Sequence, residues 1–181
     1  MNIDGSDQRQ LANGAGGEET PQFSPDGRWL VYRTVLGKRT VWKIPAEGGE
    51  PVQLTDKFSI SPTVSPDGKL VAYIYQDENA PERIAVALLD GGEPLKTFDV
   101  PITSSNPLRW TPDGRAVAYI DTKNGVSNIF AQPLDGSAPK QLTDFKADRI
   151  FYFDYSRDGK QLALSRGTRK SDVFLISNFK R

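Results

Sequence analysis

The 181-residue chain contains no histidine and no cysteine. Without histidine there is no imidazole to act as general base near neutral pH, no Ser-His-Asp triad, and the commonest metal ligand is gone. Without cysteine there are no disulfides and no thiol chemistry, although a cysteine-free chain suits every compartment. Net charge is missing too: 23 Lys and Arg balance 23 Asp and Glu, so no overall field favours nucleic acid or an anionic membrane. No apolar run approaches the ~20 residues needed to span a bilayer. Met1 is not followed by the charged and apolar segments of an export signal, so the chain as given reads as soluble, with its compartment unknown. The phosphate-cradle and Gly-x-Ser-x-Gly signatures are also missing, and nothing points to a cofactor.

What the chain does have is turns. Its 16 Gly and 13 Pro are scattered throughout, and four tetrads recur: Ser24-Pro25-Asp26-Gly27, Ser65-Pro66-Asp67-Gly68, Thr111-Pro112-Asp113-Gly114 and Ser156-Arg157-Asp158-Gly159, at spacings of 41, 46 and 45 residues. Pro presets φ at the second position of a type I turn, Asp suits the third, and Gly takes a φ > 0 site that forms a bulge, so each tetrad should join two antiparallel strands. A base and an apolar run follow each tetrad, as in Arg28 to Tyr32 and Lys69 to Tyr73. A third strand recurs at 41–44, 84–87, 129–132 and 173–176. Gly-containing turns and short fourth strands follow at Pro51 to Asp56, Pro94 to Asp99 and Pro139 to Asp144.

Four strands in about 45 residues is the size of a propeller blade. The expected fold is therefore all-β, a β-propeller of four-stranded antiparallel blades at 18–56, 60–99, 104–144 and 150–181, with almost no helix. Phe23 to Arg28 with Val31-Tyr32, Trp42 with Gly48-Gly49 and Leu54-Thr55, and their later echoes, resemble the TolB-like propeller repeats, also described as WD40-like. The ending Ser171 to Phe179 is similar to the carboxyl end of propellers attached to bacterial receptor-type Ser/Thr kinases and winged-helix regulators, although no kinase signature is present. The resemblance implies a bacterial binding module, often extracytoplasmic in its parent, that recognises protein or peptide.

Each candidate group has a plain structural reading beside the functional one. The four turn aspartates, each with its glycine (Asp26, Gly27; Asp67, Gly68; Asp113, Gly114; Asp158, Gly159), read as caps rather than as a metal or acid-base cluster, because each sits in its own blade. Gly14-Ala15-Gly16-Gly17 reads as a linker. Trp29, Trp42 and Trp110, with Tyr32, Tyr73 and Tyr119, read as packing between blades. The basic lean of the last 25 residues reads as a solvated rim, not a nucleic-acid site. Positions where copies differ carry more functional information. Two residues before each tetrad stand Gln22, Thr63, Arg109 and Asp154, a polar, irregular ring expected beside the central channel. With the loops Thr34 to Arg39, Gln76 to Glu82, Thr122 to Asn128 and Arg166 to Lys170, it forms the default binding site.

Three functions compete. The first is a non-catalytic scaffold or sensor, which the missing nucleophile machinery favours. The second is the gating propeller of a prolyl-oligopeptidase-like peptidase whose catalytic domain is not in this chain. The third is an enzyme using channel carboxylates with Ca²⁺, for which Asp154 alone is a candidate. The ends bear on architecture. Asn2 to Ser6 aligns with Pro133 to Ser137 and Gln8 to Ala12 with the fourth strand at 139–143, so residues 1–13 read as an orphan fourth strand. Blade four lacks that strand. Pairing between the two ends is expected, through a homodimer forming an eight-bladed ring in preference to a four-bladed monomer, with an open piece of a larger propeller as the third possibility.

Overall fold

The computed structural model describes residues 4–12, 17–78, 80–102, 107–169 and 172. The expected third strand at 173–176 and most of the glycine linker, 14–16, lie outside the described residues. Sheet 1 contains β1 (Glu18–Phe23), β2 (Trp29–Thr34), β3 (Val41–Pro45) and β4 (Val52–Gln53). Sheet 2 contains β5 (Phe58–Val64), β6 (Leu70–Gln76), β7 (Arg83–Leu88) and β8 (Lys96–Phe98). Sheet 3 contains β9 (Arg109–Trp110), β10 (Ala116–Lys123), β11 (Val126–Pro133) and β12 (Lys140–Gln141), and sheet 4 contains β13 (Arg149–Tyr155) and β14 (Leu162–Gly167). Each sheet is an antiparallel meander in chain order, and no helix occurs among the described residues.

One local device builds all four first hairpins. The tetrad aspartate accepts from its own Ser or Thr hydroxyl at 2.6 Å in every copy and from the backbone N–H two residues on at 3.0 to 3.1 Å. The hydroxyl oxygen in turn accepts from the first N–H of the next strand, as Ser65 does from Leu70 at 2.9 Å. Gly27, Gly68, Gly114 and Gly159 sit at φ between 67° and 72°, where a Cβ would be strained. In sheet 4 Arg157 replaces the proline, and the turn keeps the same bonds.

These bonds favour the ionised aspartates. The Ser24 hydroxyl, then the Arg28 N–H and guanidinium, hold Asp26 down at about 2. Hydroxyl and backbone donors likewise lower Asp67, Asp113 and Asp158 below the ordinary 3.8. A carboxylate whose folded pKa is depressed adds stability above its unfolded value, and that stability is lost as pH falls through the folded one. Denaturation midpoints should therefore hold at neutral pH and drop between about pH 4 and about pH 2, and Asp67→Asn should flatten that drop. Identical acid profiles for parent and variant would count against the turn assignment.

The sheets stack face to face. Val31, Val41 and Leu54 of the sheet 1 segment meet Val71, Tyr73 and Ala85 of sheet 2. The opposite face of sheet 2, with Ile60, Ile74 and Ile84, meets Leu108, Trp110 and Tyr119 of sheet 3. Ala118, Ile120 and Ile129 then meet Ile150 and Phe153 of sheet 4. Central sheets are buried on both faces, which is why Leu70 to Ile74 is a continuous apolar run rather than an alternating one. The turns stack as well: a Cβ at Gly68 would touch Pro25, one at Gly114 would touch Pro66, and one at Gly159 would overlap Pro112. Among the described residues nothing stands within 4 Å of a Cβ placed at Gly27, so among them this stack runs from sheet 1 to sheet 4.

One expected loop is mostly strand. Strands β10 and β11 run to Lys123 and from Val126, and they are joined by the two-residue turn Asn124-Gly125 at φ 52° and 81°. Both residues take the positive φ that matches the twist of a tight hairpin. Segment 166–170 is likewise strand as far as Gly167, and its Lys170 lies outside the described residues.

Candidate functional site

The first strands β1, β5, β9 and β13 bring together the four ring residues expected from the sequence. Gln22, Thr63, Arg109 and Asp154 all line one cavity of about 270 Å³ that borders the turns of sheets 2 to 4. Gln22, Arg109 and Asp154 also line a second cavity, of about 360 Å³, bounded by Thr20, Ser61 and Tyr152. Gln22, Arg109 and Asp154 therefore stand between two cavities.

Most of these side chains also staple neighbouring sheets. Gln22 Oε1 accepts from the backbone N–H of Val64 at 2.9 Å, joining sheets 1 and 2. Trp110 Nε1 donates to the Thr63 carbonyl at 2.9 Å, joining sheets 2 and 3. Arg109 joins sheets 3 and 4: its Nε lies 3.0 Å from Asp154 Oδ1, Nη2 donates to the Tyr152 hydroxyl, and the guanidinium stacks 4.9 Å from the Tyr152 ring. The Nε contact is poorly aligned for a hydrogen bond, so the pair is held by charge and by stacking rather than by a bidentate fork. Arg109 Nη1 donates to the Leu108 carbonyl at 2.8 Å. The guanidinium is thus engaged, whereas the Asp154 side chain stays 53% exposed. The Asp154 carboxylate and the Gln22 amide N–H groups face the cavities with spare hydrogen-bonding capacity.

The wall of the second cavity also carries backbone strain. Thr20 and Ser61 adopt φ of 54° and 53°, where β1 and β5 shift register against their partners. Both precede a proline, which cannot donate to the ladder and so marks a bulge or an edge. Tyr152 was not legible as a site residue. Its only sequence signal was its place two residues before Asp154.

No group of three or more Asp or Glu that could hold a metal ion occurs among the described residues. No helix among them is long and apolar enough to cross a membrane. Of the aromatic repeats, Tyr73, Trp110 and Tyr119 are buried between sheets, and half-buried Trp29 packs there under the Lys43 ammonium at 4.2 Å; Tyr32 is buried, and half-buried Trp42 donates its Nε1 to the Thr40 hydroxyl at 2.8 Å. Burial pushes the Tyr119 hydroxyl up to about 12, with help from the Asp121 charge.

No family model matches the chain. It is 29% identical over 66% of its length to an uncharacterized protein of Agrobacterium fabrum, covering 45% of that protein. It is 28% identical over 81% of its length to an uncharacterized peptidase, YuxL, of Bacillus subtilis, covering 22% of it. The crystal structure of TolB from Acinetobacter baumannii superposes on 90% of the chain and 41% of its own length, with a TM-score of 0.76 at 23% identity. The chain spans less than half the length of these relatives. The fold is a TolB-like β-propeller architecture of repeated antiparallel sheets.

Proposed function

We propose that the chain is a non-catalytic β-propeller scaffold that binds a protein or peptide in its central channel, through the ring Gln22, Thr63, Arg109 and Asp154 and the variable loops 34–39 and 76–82. The observation that carries this reading is the pair of cavities sharing Gln22, Arg109 and Asp154. Their walls are first strands locked by inter-sheet bonds, so an occupant meets a preorganised surface. With no histidine or cysteine in the chain, the channel offers recognition chemistry rather than a nucleophile and base. We also propose that the ring closes by strand pairing between the segments near the two ends.

A second reading is favoured by one observation, the match to a peptidase over 81% of this chain and 22% of that protein. In that case the sheets are part of a gating propeller and the channel passes substrate instead of retaining it.

Peptides selected from a random display library on the pure chain distinguish the two. The scaffold reading expects them to bind the parent and to bind Asp154→Ala at least about 10-fold more weakly, equivalent to about 1.4 kcal/mol. Exchange of 76–82 for a Gly-Ser loop should alter their affinity without lowering stability. Selection of no channel-dependent peptide would favour the gating reading.

A further inference from the structure

A further cavity, of about 430 Å³, opens between sheets 1 and 2. It shares no lining residue with the two cavities at Gln22, Arg109 and Asp154. Its sheet 1 wall is segment 53–57, which runs out of β4 towards β5. Its sheet 2 wall is Tyr73 and Tyr75 of β6 with segment 92–94 ahead of β8. The Tyr73 and Tyr75 rings meet edge-on at 6.5 Å. The one cation on these walls is already engaged: Lys57 Nζ lies 3.1 Å from Asp77 Oδ2 and 6.0 Å from the centre of the Tyr75 ring.

The acids on these walls differ from their counterparts elsewhere in the repeat. Segment Pro51 to Asp56 recurs as Pro94 to Asp99 and Pro139 to Asp144, each copy ending in an aspartate. Two of the three are neutralised within the chain: Asp99 Oδ1 lies 2.7 Å from Arg83 Nε, and Asp144 Oδ1 lies 2.6 Å from Lys146 Nζ. Asp56 has no ion-pair partner among the described residues, and the place two residues on, Lys146 in the later copy, is Phe58. Glu93, on the sheet 2 wall, is exposed and also has no ion-pair partner among the described residues.

Tyr73 adds a buried polar group. It is 1% exposed and lines the cavity, yet its hydroxyl hydrogen-bonds to nothing among the described residues. A buried tyrosine hydroxyl ordinarily finds a partner. Burial raises its pKa first, and the Tyr75, Glu93 and Asp56 charges raise it further, so it stays protonated and feels the two acids that line the cavity. Two unneutralised carboxylates and a neutral hydroxyl call for a donor-rich cation. We infer that this cavity takes an arginine side chain of a protein partner, whose guanidinium donates to Asp56, Glu93 and the Tyr73 hydroxyl. A guanidinium presents several N–H groups in one plane and is more weakly hydrated than an ammonium, so it suits a half-buried acidic site better than lysine does. The chain sets the precedent between sheets 3 and 4: Arg166, at the repeat position of Tyr75, places its guanidinium 4.4 Å from the centre of the Phe145 ring.

The probe is the blocked tripeptide acetyl-Gly-Arg-Gly-amide, titrated into the isotope-labelled full chain and followed by NMR. It should shift the amides of segments 53–57 and 92–95 in a saturable way. The citrulline peptide, equal in shape but neutral, should bind at least about 10-fold more weakly, and the lysine peptide about 3-fold more weakly. Asp56→Asn combined with Glu93→Gln should weaken the arginine peptide at least about 10-fold and leave the urea midpoint unchanged, because both side chains are exposed. Tyr73→Phe keeps the ring and should weaken it about 3-fold. The inference is overturned by the absence of a saturable shift in these segments, by equal binding of the citrulline or lysine peptide, or by an affinity that the double variant does not change. Shifts confined to 152–156 would put the guanidinium on Asp154 and overturn it too, while leaving the channel reading standing.

Discussion

Tyr73→Ala should lower folding stability by about 3–5 kcal/mol, the range for deleting a large buried side chain and leaving a cavity. Tyr73 is 1% exposed. It fills the space between sheets 1 and 2 with Val31, Leu54 and Ala85 around it, and the Tyr75 ring meets it edge-on at 6.5 Å. Such a loss is a large fraction of the total stability of an ordinary domain. Tyr73→Phe keeps that packing and should cost less than about 1.5 kcal/mol. Urea denaturation of both variants gives the comparison, and equal losses would mean that the hydroxyl, not the ring, matters.

The second large effect separates two glycines that look alike in sequence. Gly27 and Gly159 occupy the same tetrad position with φ of 71° and 69°, so valine at either pays the backbone strain of about 1 kcal/mol or more. At Gly159 the new Cβ also runs into Pro112 of the neighbouring turn, whereas at Gly27 it meets nothing within 4 Å. Overpacking adds about 1–3 kcal/mol. Gly159→Val should therefore be worse than Gly27→Val by at least about 1 kcal/mol. Equal midpoints for the two variants would contradict the stacking of turns from sheet to sheet.

The hairpins were legible because their cause is local. Ser or Thr, Asp and Gly in each tetrad bond to one another and to the next strand, so four residues are enough to specify the turn. The Asn124-Gly125 hairpin carried an equally local signal, but its residues differ between copies and were read as a variable loop. The role of tetrad proline was hidden. Pro25 sets its own φ, which sequence reveals, but it also touches the Gly68 position in the next sheet, and that depends on how sheets stack.

The site was legible in position more than in chemistry. Counting back from each tetrad found the four ring residues, because repeat register places equivalent residues at equivalent depth. It did not reveal that Gln22 is bonded to Val64 or that Arg109 is engaged by Asp154 and Tyr152. Those partners lie 42 to 45 residues away and are brought near by packing of one sheet on another. Variation between copies therefore reflects the junctions, each with its own staple, as well as the polar lining of the cavities. Asp154 serves both, with one oxygen facing Arg109 and much of its side chain open to the cavity.

Hydrogen exchange of the chain with and without a channel-selected peptide tests the central claim most directly, because amides on the free edges of first strands exchange readily until an occupant covers them. The account predicts that added peptide slows exchange in segments 20–24, 61–65, 108–111 and 152–156, that the outer strands β4, β8 and β12 stay unchanged, and that Asp154→Ala abolishes the effect. Protection confined to the outer strands, or undiminished in Asp154→Ala, would contradict it.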